Sequence, residues 1–125
     1  MRIFRIVLEV QDLDRAAAWY AALLGDAGRR IPGNRHYFDC GDAILALLDT
    51  GQAPHPAPAD VYFAVDDLEG VFARAQGSLS TEDVHGAPAG AIVQRPWGER
   101  SFYAVDPWGN PLCFVDSRTL FTGRR

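Results

Sequence analysis

The segment "VQDL" at residues 10–13 indicates an internal repeat, because a near copy of it, "VDDL", occurs at residues 65–68. The apolar run "IFRIVLE" precedes the first copy, and "DVYFA" precedes the second. Apolar residues at helical spacing follow each copy. A strand followed by a helix is therefore expected twice, and the sequence predicts an internal repeat.

Capping residues mark both predicted helices. Asp12 and Asp67 are natural N-caps, since a short carboxylate accepts a hydrogen bond from the free N–H groups of the first turn. Gly25 and Gly77 are stop signals, because glycine readily takes the left-handed conformation that ends a helix. Each repeat is thus predicted to contain one short helix with a defined start and end.

The repeat continues downstream, where "RHYFDCGDAILALLD" (35–49) resembles "RSFYAVDPWGNPLCFVD" (100–116). Each half indicates a strand, a helix, a short strand and a hairpin, and the proline-rich "TGQAPHPAP" between them indicates a linker. The sequence predicts an α+β fold of two βαβββ modules forming a curved mixed sheet, with helices on one face and an open trough on the other. The predicted boundaries of this single domain are module 1 at residues 1–49, the linker at 50–58, module 2 at 59–117 and a C-terminal tail at 118–125.

Composition excludes several classes of function. The net charge of −4 argues against a nucleic-acid partner, and every one of the 12 basic residues is an arginine. No apolar run is long enough to span a membrane, so no membrane partner is expected. Cys40 and Cys113 lack the spacing of a metal or redox motif, which favours a reduced, cytoplasmic protein.

Three segments carry a resemblance to a known family. "LEVQDLDRAAAWYAALLG", "FAVDDLEGVFAR" and "PWGERSFYAVDPWGNPLCFVD" are similar to the vicinal oxygen chelate superfamily, which includes glyoxalase I, extradiol dioxygenases, fosfomycin-modifying enzymes and bleomycin-resistance proteins. The resemblance covers residues 3–117 and is nearest in motif to the bleomycin-resistance (antibiotic-resistance) proteins. It implies paired βαβββ modules, a homodimer, and a ligand site in the trough.

The resemblance also implies four inward positions where family enzymes bind a divalent metal. In this sequence they are Arg5, Ala46, Asp60 and Cys113. Alanine offers no donor, and a guanidinium stays protonated and cannot coordinate a cation. One carboxylate and one thiol are too few for a metal shell. We therefore predict no metal and no cofactor, and an Arg5–Asp60 ion pair is one replacement for the metal.

Strand alternation extends the predicted lining of the trough. If Arg5 faces the trough, Val7 and Glu9 do so too, whereas Phe4 and its alternate neighbours pack under the helix. The same argument places Asp60 and Tyr62 on the trough face, together with Cys113, for which a buried inert thiol is favoured over a nucleophile. Which of Phe102 and Tyr103 faces inward stays open. The candidate ligand-binding residues are Arg5, Val7, Glu9, Tyr37, Asp60, Tyr62, Trp97, Phe102, Tyr103 and Cys113.

The tripeptide Pro-Trp-Gly occurs twice, with different expected roles. Within "DPWGN", Pro107 and Gly109 suit a hairpin turn, so Trp108 is expected to cover the turn or a neighbouring surface. Trp97 precedes a strand at the expected trough entrance. We predict that Trp97 contacts the ligand and that Trp108 does not.

The leading functional prediction is a metal-independent small-molecule binding protein of the bleomycin-resistance type. It would sequester an aromatic or partly charged compound in a cleft at a homodimer interface. The alternatives are a metal-dependent lyase or dioxygenase, a metal-free enzyme using Arg5, Glu9 and Asp60, and a non-enzymatic partner subunit. Sequence alone leaves the choice between binding protein and enzyme open.

Overall fold

The computed structural model describes residues 1–124, so the final residue of the predicted tail, Arg125, lies outside the described residues. The chain divides into two compact units, which meet in sequence between Ala57 and Pro58. Each unit contains a four-stranded mixed sheet and one α-helix. The predicted α+β class is therefore confirmed.

Unit 1 consists of β1 (Arg5–Glu9), α1 (Leu13–Leu24), β2 (Arg29–Ile31), β3 (Arg35–Cys40) and β4 (Ala43–Leu48). The strand order is β1-β4-β3-β2, and only the β1–β4 pair is parallel. The unit thus joins its first strand to its last, as the βαβββ pattern requires, because the helix carries the chain from β1 to the far side of the sheet.

Unit 2 consists of β5 (Val61–Val65), α2 (Leu68–Arg74), β6 (Asp83–Val84), β7 (Ala87–Pro88), β8 (Val93–Gln94), β9 (Arg100–Val105) and β10 (Pro111–Asp116), followed by a short 3₁₀ helix (Ser117–Thr119). Its sheet order is β5-β10-β9-β8, and β5 pairs with β10 in parallel. Strands β6 and β7 pair only with each other, as a small ribbon between α2 and β8 that the sequence did not predict.

The predicted caps are present at the helix starts. The side chain of Asp12 accepts a hydrogen bond from the N–H of Arg15, and Asp67 accepts one from the N–H of Gly70. Gly25 ends α1 in the left-handed conformation, with φ of 72°. α2 ends at Arg74, earlier than the predicted stop at Gly77.

Apolar side chains pack between each sheet and its helix. In unit 1, Leu8 and Val10 are buried, whereas Phe4 is 53% exposed, so its predicted core position is wrong. Phe4 precedes β1, and only its backbone joins the sheet there, through its carbonyl, which accepts a hydrogen bond from the N–H of Ile44 in β4. In unit 2, Phe114 stacks between Phe63 and Phe102, with ring centroids 5.1 and 5.2 Å away.

The other face of unit 2 is not open over its whole area. Cys113, Val115 and Tyr103 form a second buried cluster with Ala89, and Val84 of the ribbon packs against it. Strand β10 therefore has buried side chains on both faces. The ribbon segment therefore covers part of the face on which the trough is predicted.

Among residues 1–124, neither helix combines the length and the apolar character that a membrane span needs.

Candidate functional site

The register of unit 2 brings three predicted residues to one face of the sheet. Cys113 lies opposite Tyr62 on β5 and opposite Tyr103 on β9. The two phenol oxygens are 3.3 Å apart, at hydrogen-bonding distance. Tyr62 is 53% exposed, whereas Tyr103 is buried and has its pKa raised, chiefly by that burial. Only Tyr62 therefore presents a substantial aromatic surface to solvent.

Phe102 lies on the opposite face of the sheet. Its ring is fully buried, packing edge-on against Phe72 of α2 at 5.1 Å and stacking on Phe114. The alternation of β9 puts Phe102 under the helix because Tyr103 pairs with Cys113 on the other side. Phe102 is a core residue, and its predicted role in lining the ligand site is wrong.

A cavity of about 240 Å³ opens beside Tyr103, entirely within unit 2. Asp60, which was predicted, stands at the start of β5, and Tyr103 contributes from β9. Seven other lining residues were not among the candidate ligand-binding residues: Ser80, Thr81, Glu82, Val84, Ala104, Val105 and Pro111. The cavity thus combines two carboxylates, three hydroxyl groups and an apolar wall.

The charge of the cavity is negative. Asp60 and Glu82 are both exposed, and within the described residues of unit 2 neither carboxylate forms an ion pair or hydrogen bond. Val84, Val105 and Pro111 supply apolar surface beside them. Such a lining favours a ligand with a cationic group and an apolar body.

Arg95 holds the ribbon segment, and hence one wall of the cavity, against β9. Its guanidinium is 2% exposed and donates to Ser101 Oγ and Ser101 O, both at 3.0 Å, and to the carbonyl of Ala91 at 3.1 Å. Longer hydrogen bonds reach the carbonyls of Pro88 and Ala89, at 3.4 and 3.3 Å. The guanidinium also lies 5.2 Å from the ring centroid of Tyr103. The sequence reasoning missed Arg95, since nothing in "QRPWGER" shows which carbonyls will surround it.

The Cys113 thiol is fully buried. Burial raises its pKa to about 12, against hydrogen bonding with Ser101 and Tyr103 that acts in the opposite direction. A thiol with that pKa stays protonated near neutral pH and is a poor nucleophile. Cys113 is buried as predicted, and its low reactivity stays a prediction.

In unit 1, the predicted Arg5, Val7, Glu9 and Tyr37 share the face of the sheet opposite α1. Val7 and Tyr37 lie on either side of Ala46 in the register. Tyr37 is buried at its ring, and its hydroxyl oxygen accepts hydrogen bonds from Arg5 Nη1 at 3.2 Å and from Arg35 Nη1 at 3.3 Å. The hydrogen bond from Arg35, aided by the charge of Arg5, lowers the pKa of Tyr37.

Glu9, on the same face, is bonded to the predicted linker. Its carboxylate accepts hydrogen bonds from the backbone N–H of His55 at 3.1 Å and lies 3.2 Å from the His55 ring nitrogen. These hydrogen bonds lower the pKa of Glu9. The Glu9 carboxylate is therefore bonded to His55 within unit 1. The pairing of Arg5 with Asp60 stays a prediction, because the two residues belong to different units.

The four metal-equivalent residues do not fit a divalent metal. Ala46 is buried and has no donor atom, and Arg5 directs its guanidinium at Tyr37. Cys113 is a protonated thiol, so Asp60 would be the one anionic ligand. Within the described part of the chain, no group of three or more His, Cys, Asp or Glu side chains is arranged to hold a metal ion.

The two Pro-Trp-Gly tryptophans have different surroundings. Trp97 is half-buried, packs edge-on against His85 with centroids 5.0 Å apart, and donates from Nε1 to Glu99 at 2.7 Å. It does not line the cavity. Trp108 sits in the predicted turn, where its N–H donates to Asp106 Oδ1 at 2.9 Å. Ligand contact by Trp97 remains a prediction.

Comparison with known proteins relates this geometry to a family. The sequence profile described as Glyoxalase/Bleomycin resistance protein/Dioxygenase superfamily matches residues 2–114. No curated protein matches the chain.

Solved structures with the same fold carry both enzyme and resistance-protein names. Oxidase ChaP-H1 is 22% identical, with 93% of this chain and 95% of that chain covered and a TM-score of 0.75. A glyoxalase/bleomycin resistance protein from Albidiferax ferrireducens T118 is 21% identical, with coverages of 91% and 97% and a TM-score of 0.72. Lactoylglutathione lyase from Agrobacterium tumefaciens is 24% identical, with coverages of 94% and 94% and a TM-score of 0.62. At these identities the likeness shows the fold alone.

Proposed function

The chain belongs to the Glyoxalase/Bleomycin resistance protein/Dioxygenase superfamily, and from that premise we propose that it is a metal-independent binding protein for a cationic, partly aromatic small molecule. The observation that carries the proposal is the cavity of unit 2, where two carboxylates without partners in the described part of that unit stand beside an apolar wall. A cation with an apolar body satisfies both parts of that lining.

The donor set supports binding without a metal. The positions that hold the metal in family enzymes carry an arginine, an alanine, a carboxylate and a protonated thiol in this chain. Catalysis of the family type depends on a metal that polarises the substrate, and these residues do not fit one. Sequestration needs only affinity, which the cavity supplies through charge and apolar contact.

The test compares three ligands that share a ring and differ in charge: benzylammonium, benzyl alcohol and benzoate. Binding to the purified protein is measured by calorimetry at low ionic strength. We expect benzylammonium to bind more tightly than benzyl alcohol, and Asp60→Asn and Glu82→Gln each to weaken benzylammonium roughly fivefold, the size of one exposed charge contact. Asp83→Asn is the matched control, because Asp83 lies on the same ribbon but does not line the cavity.

Two results would reject the proposal. One is equal affinity for benzylammonium and benzyl alcohol, since the carboxylates would then contribute nothing. The other is a stoichiometric divalent metal in the purified protein, found by elemental analysis, together with turnover that depends on it. That second result would favour the enzyme alternative, to which the oxidase and lyase names of two structural neighbours point.

The same proposal includes a homodimer with the ligand cleft at its interface. Exposed apolar side chains support it: Ile3 in unit 1, and Leu120 and Phe121 in unit 2, are each about half exposed or more. Sedimentation velocity at micromolar concentration should give twice the mass of the chain. A monomer at every concentration and ligand saturation tested would remove the dimer from the proposal.

A further inference from the structure

Two arginines converge on one phenol at the face of unit 1 opposite α1. Arg5 stands on β1 and Arg35 on β3, on either side of β4, and both donate Nη1 hydrogen bonds to the hydroxyl oxygen of Tyr37. Arg29 adds a third guanidinium, 5.8 Å from the centroid of the Tyr37 ring. The fold thus gathers positive charge around a single hydroxyl group.

Within unit 1 the charges of Arg5 and Arg35 are not neutralised. Neither guanidinium forms an ion pair there, and Tyr37 is the hydrogen-bond partner of both. The carboxylates on the same face are engaged elsewhere: Asp39 pairs with Arg29 at 3.0 Å, and Glu9 is bonded to His55. A guanidinium has five N–H donors in a planar fork, so both arginines keep donors for an external acceptor.

Apolar surface adjoins this basic cluster. Val7 lies two residues after Arg5, on the same face of β1, and is 50% exposed. Phe4 is 53% exposed, and the centroid of its ring lies 5.0 Å from the guanidinium carbon of Arg5. Ala46 lies between Val7 and Tyr37 in the register and is buried. The surroundings suit an anion that carries an apolar body better than a fully hydrated inorganic ion.

We propose that this face of unit 1 binds the carboxylate group of a small organic acid, with Arg5 and Arg35 donating to its oxygens. The hydroxyl of Tyr37 lies between the two guanidinium groups and donates a third hydrogen bond. Val7 and Phe4 contact the apolar part of the acid. The site uses residues of unit 1 alone, so this proposal can be tested independently of the cation site in unit 2.

The test measures the binding of benzoate, with inorganic phosphate and benzyl alcohol as comparison ligands. Affinity is measured by calorimetry, and the site of binding is located by NMR of the backbone amides. We expect benzoate to bind more tightly than either, and to shift amide signals of β1, β3 and β4. Arg5→Ala and Arg35→Ala should each lower the affinity for benzoate about fivefold, which is the effect expected for the loss of one solvent-exposed ion pair. Tyr37→Phe keeps the ring, and should weaken benzoate by removing one donor.

Arg15→Ala is the matched control. Arg15 is exposed on α1, so this substitution removes one positive charge from the helix side of unit 1 and leaves the opposite face unchanged. Circular dichroism checks that each variant keeps its fold. The proposal is overturned if benzoate does not bind the wild-type protein at millimolar concentration, or if Arg5→Ala and Arg35→Ala affect it no more than Arg15→Ala. It is also overturned if phosphate binds as well as benzoate. Benzylammonium should be indifferent to these variants, which separates this test from that of the cation site.

Discussion

Replacing Arg95 by methionine tests whether one buried side chain fixes the ribbon of unit 2. Methionine fills a similar length but removes every hydrogen bond that the guanidinium donates. Three of those bonds, two to Ser101 and one to Ala91, are 3.0–3.1 Å long. At a net value of about 1 kcal/mol each, their loss lowers the free energy of unfolding by about 3 kcal/mol. For a chain of this length that corresponds to a Tm lower by about 10 °C.

The assay is thermal unfolding followed by circular dichroism, with hydrogen exchange of residues 82–91 to locate the effect. Exchange should accelerate in the ribbon first, because the ribbon loses the contact that holds it to β9. Benzylammonium should also bind more weakly, since Glu82 and Val84 line the cavity from this segment. Arg74→Ala, on the exposed end of α2, is the control, with an expected change within about 0.5 kcal/mol. A Tm for Arg95→Met within a degree or two of that control would refute the reasoning.

Three further predictions follow from the titrating groups. Hydrogen bonds from Arg118 hold the pKa of Asp116 below its usual range, so the Asp116 carboxylate stabilises the fold above about pH 4, and this contribution is lost as the pH falls through the folded-state pKa. Urea unfolding at decreasing pH should show this loss, and Asp116→Asn should make the free energy of unfolding depend less on pH. Cys113 should resist iodoacetamide at about pH 8 in the folded protein, slower to react than half-buried Cys40, and both should react in denaturant. Tyr37 should ionise at a lower pH than Tyr103 in an alkaline absorbance titration, and Arg35→Ala should move the Tyr37 step to higher pH; an unchanged step would show that the hydrogen bond from Arg35 is not what lowers the pKa of Tyr37.

The local signals in the sequence located the architecture well. The caps at Asp12 and Asp67 depend only on residues in the following turn, so they could be read directly from the sequence. The two-residue alternation predicted Asp60 and Tyr62 on the trough face of unit 2, and both are exposed in the structure. The prediction that Phe4 is buried was wrong, because alternation gives the direction of a side chain but not whether anything packs there.

The candidate site was harder to predict, because its residues meet through contacts that are distant in sequence. Glu82 joins Asp60 in one cavity only after the ribbon folds back over the sheet, and the repeat contains no copy of that ribbon. Whether Phe102 or Tyr103 faces the helix depends on the register of β9 against β10, which the sequence left open. Arg35 gave no signal as a partner of Tyr37 beyond the alternation that puts both on one face.

The parallel pairs in the two sheets have a consequence for the order in which a nascent chain can fold. The β1–β4 pair is available once residue 48 has left the ribosome, so the sheet of unit 1 can be completed before β5 has been synthesised. Strand β5 must instead wait for residues 111–116, and its backbone groups lack their ladder partner during that interval. A chain that stops just before Pro58 therefore keeps one complete sheet. A chain that stops between β5 and β10 carries an unpaired strand that other chains can bind.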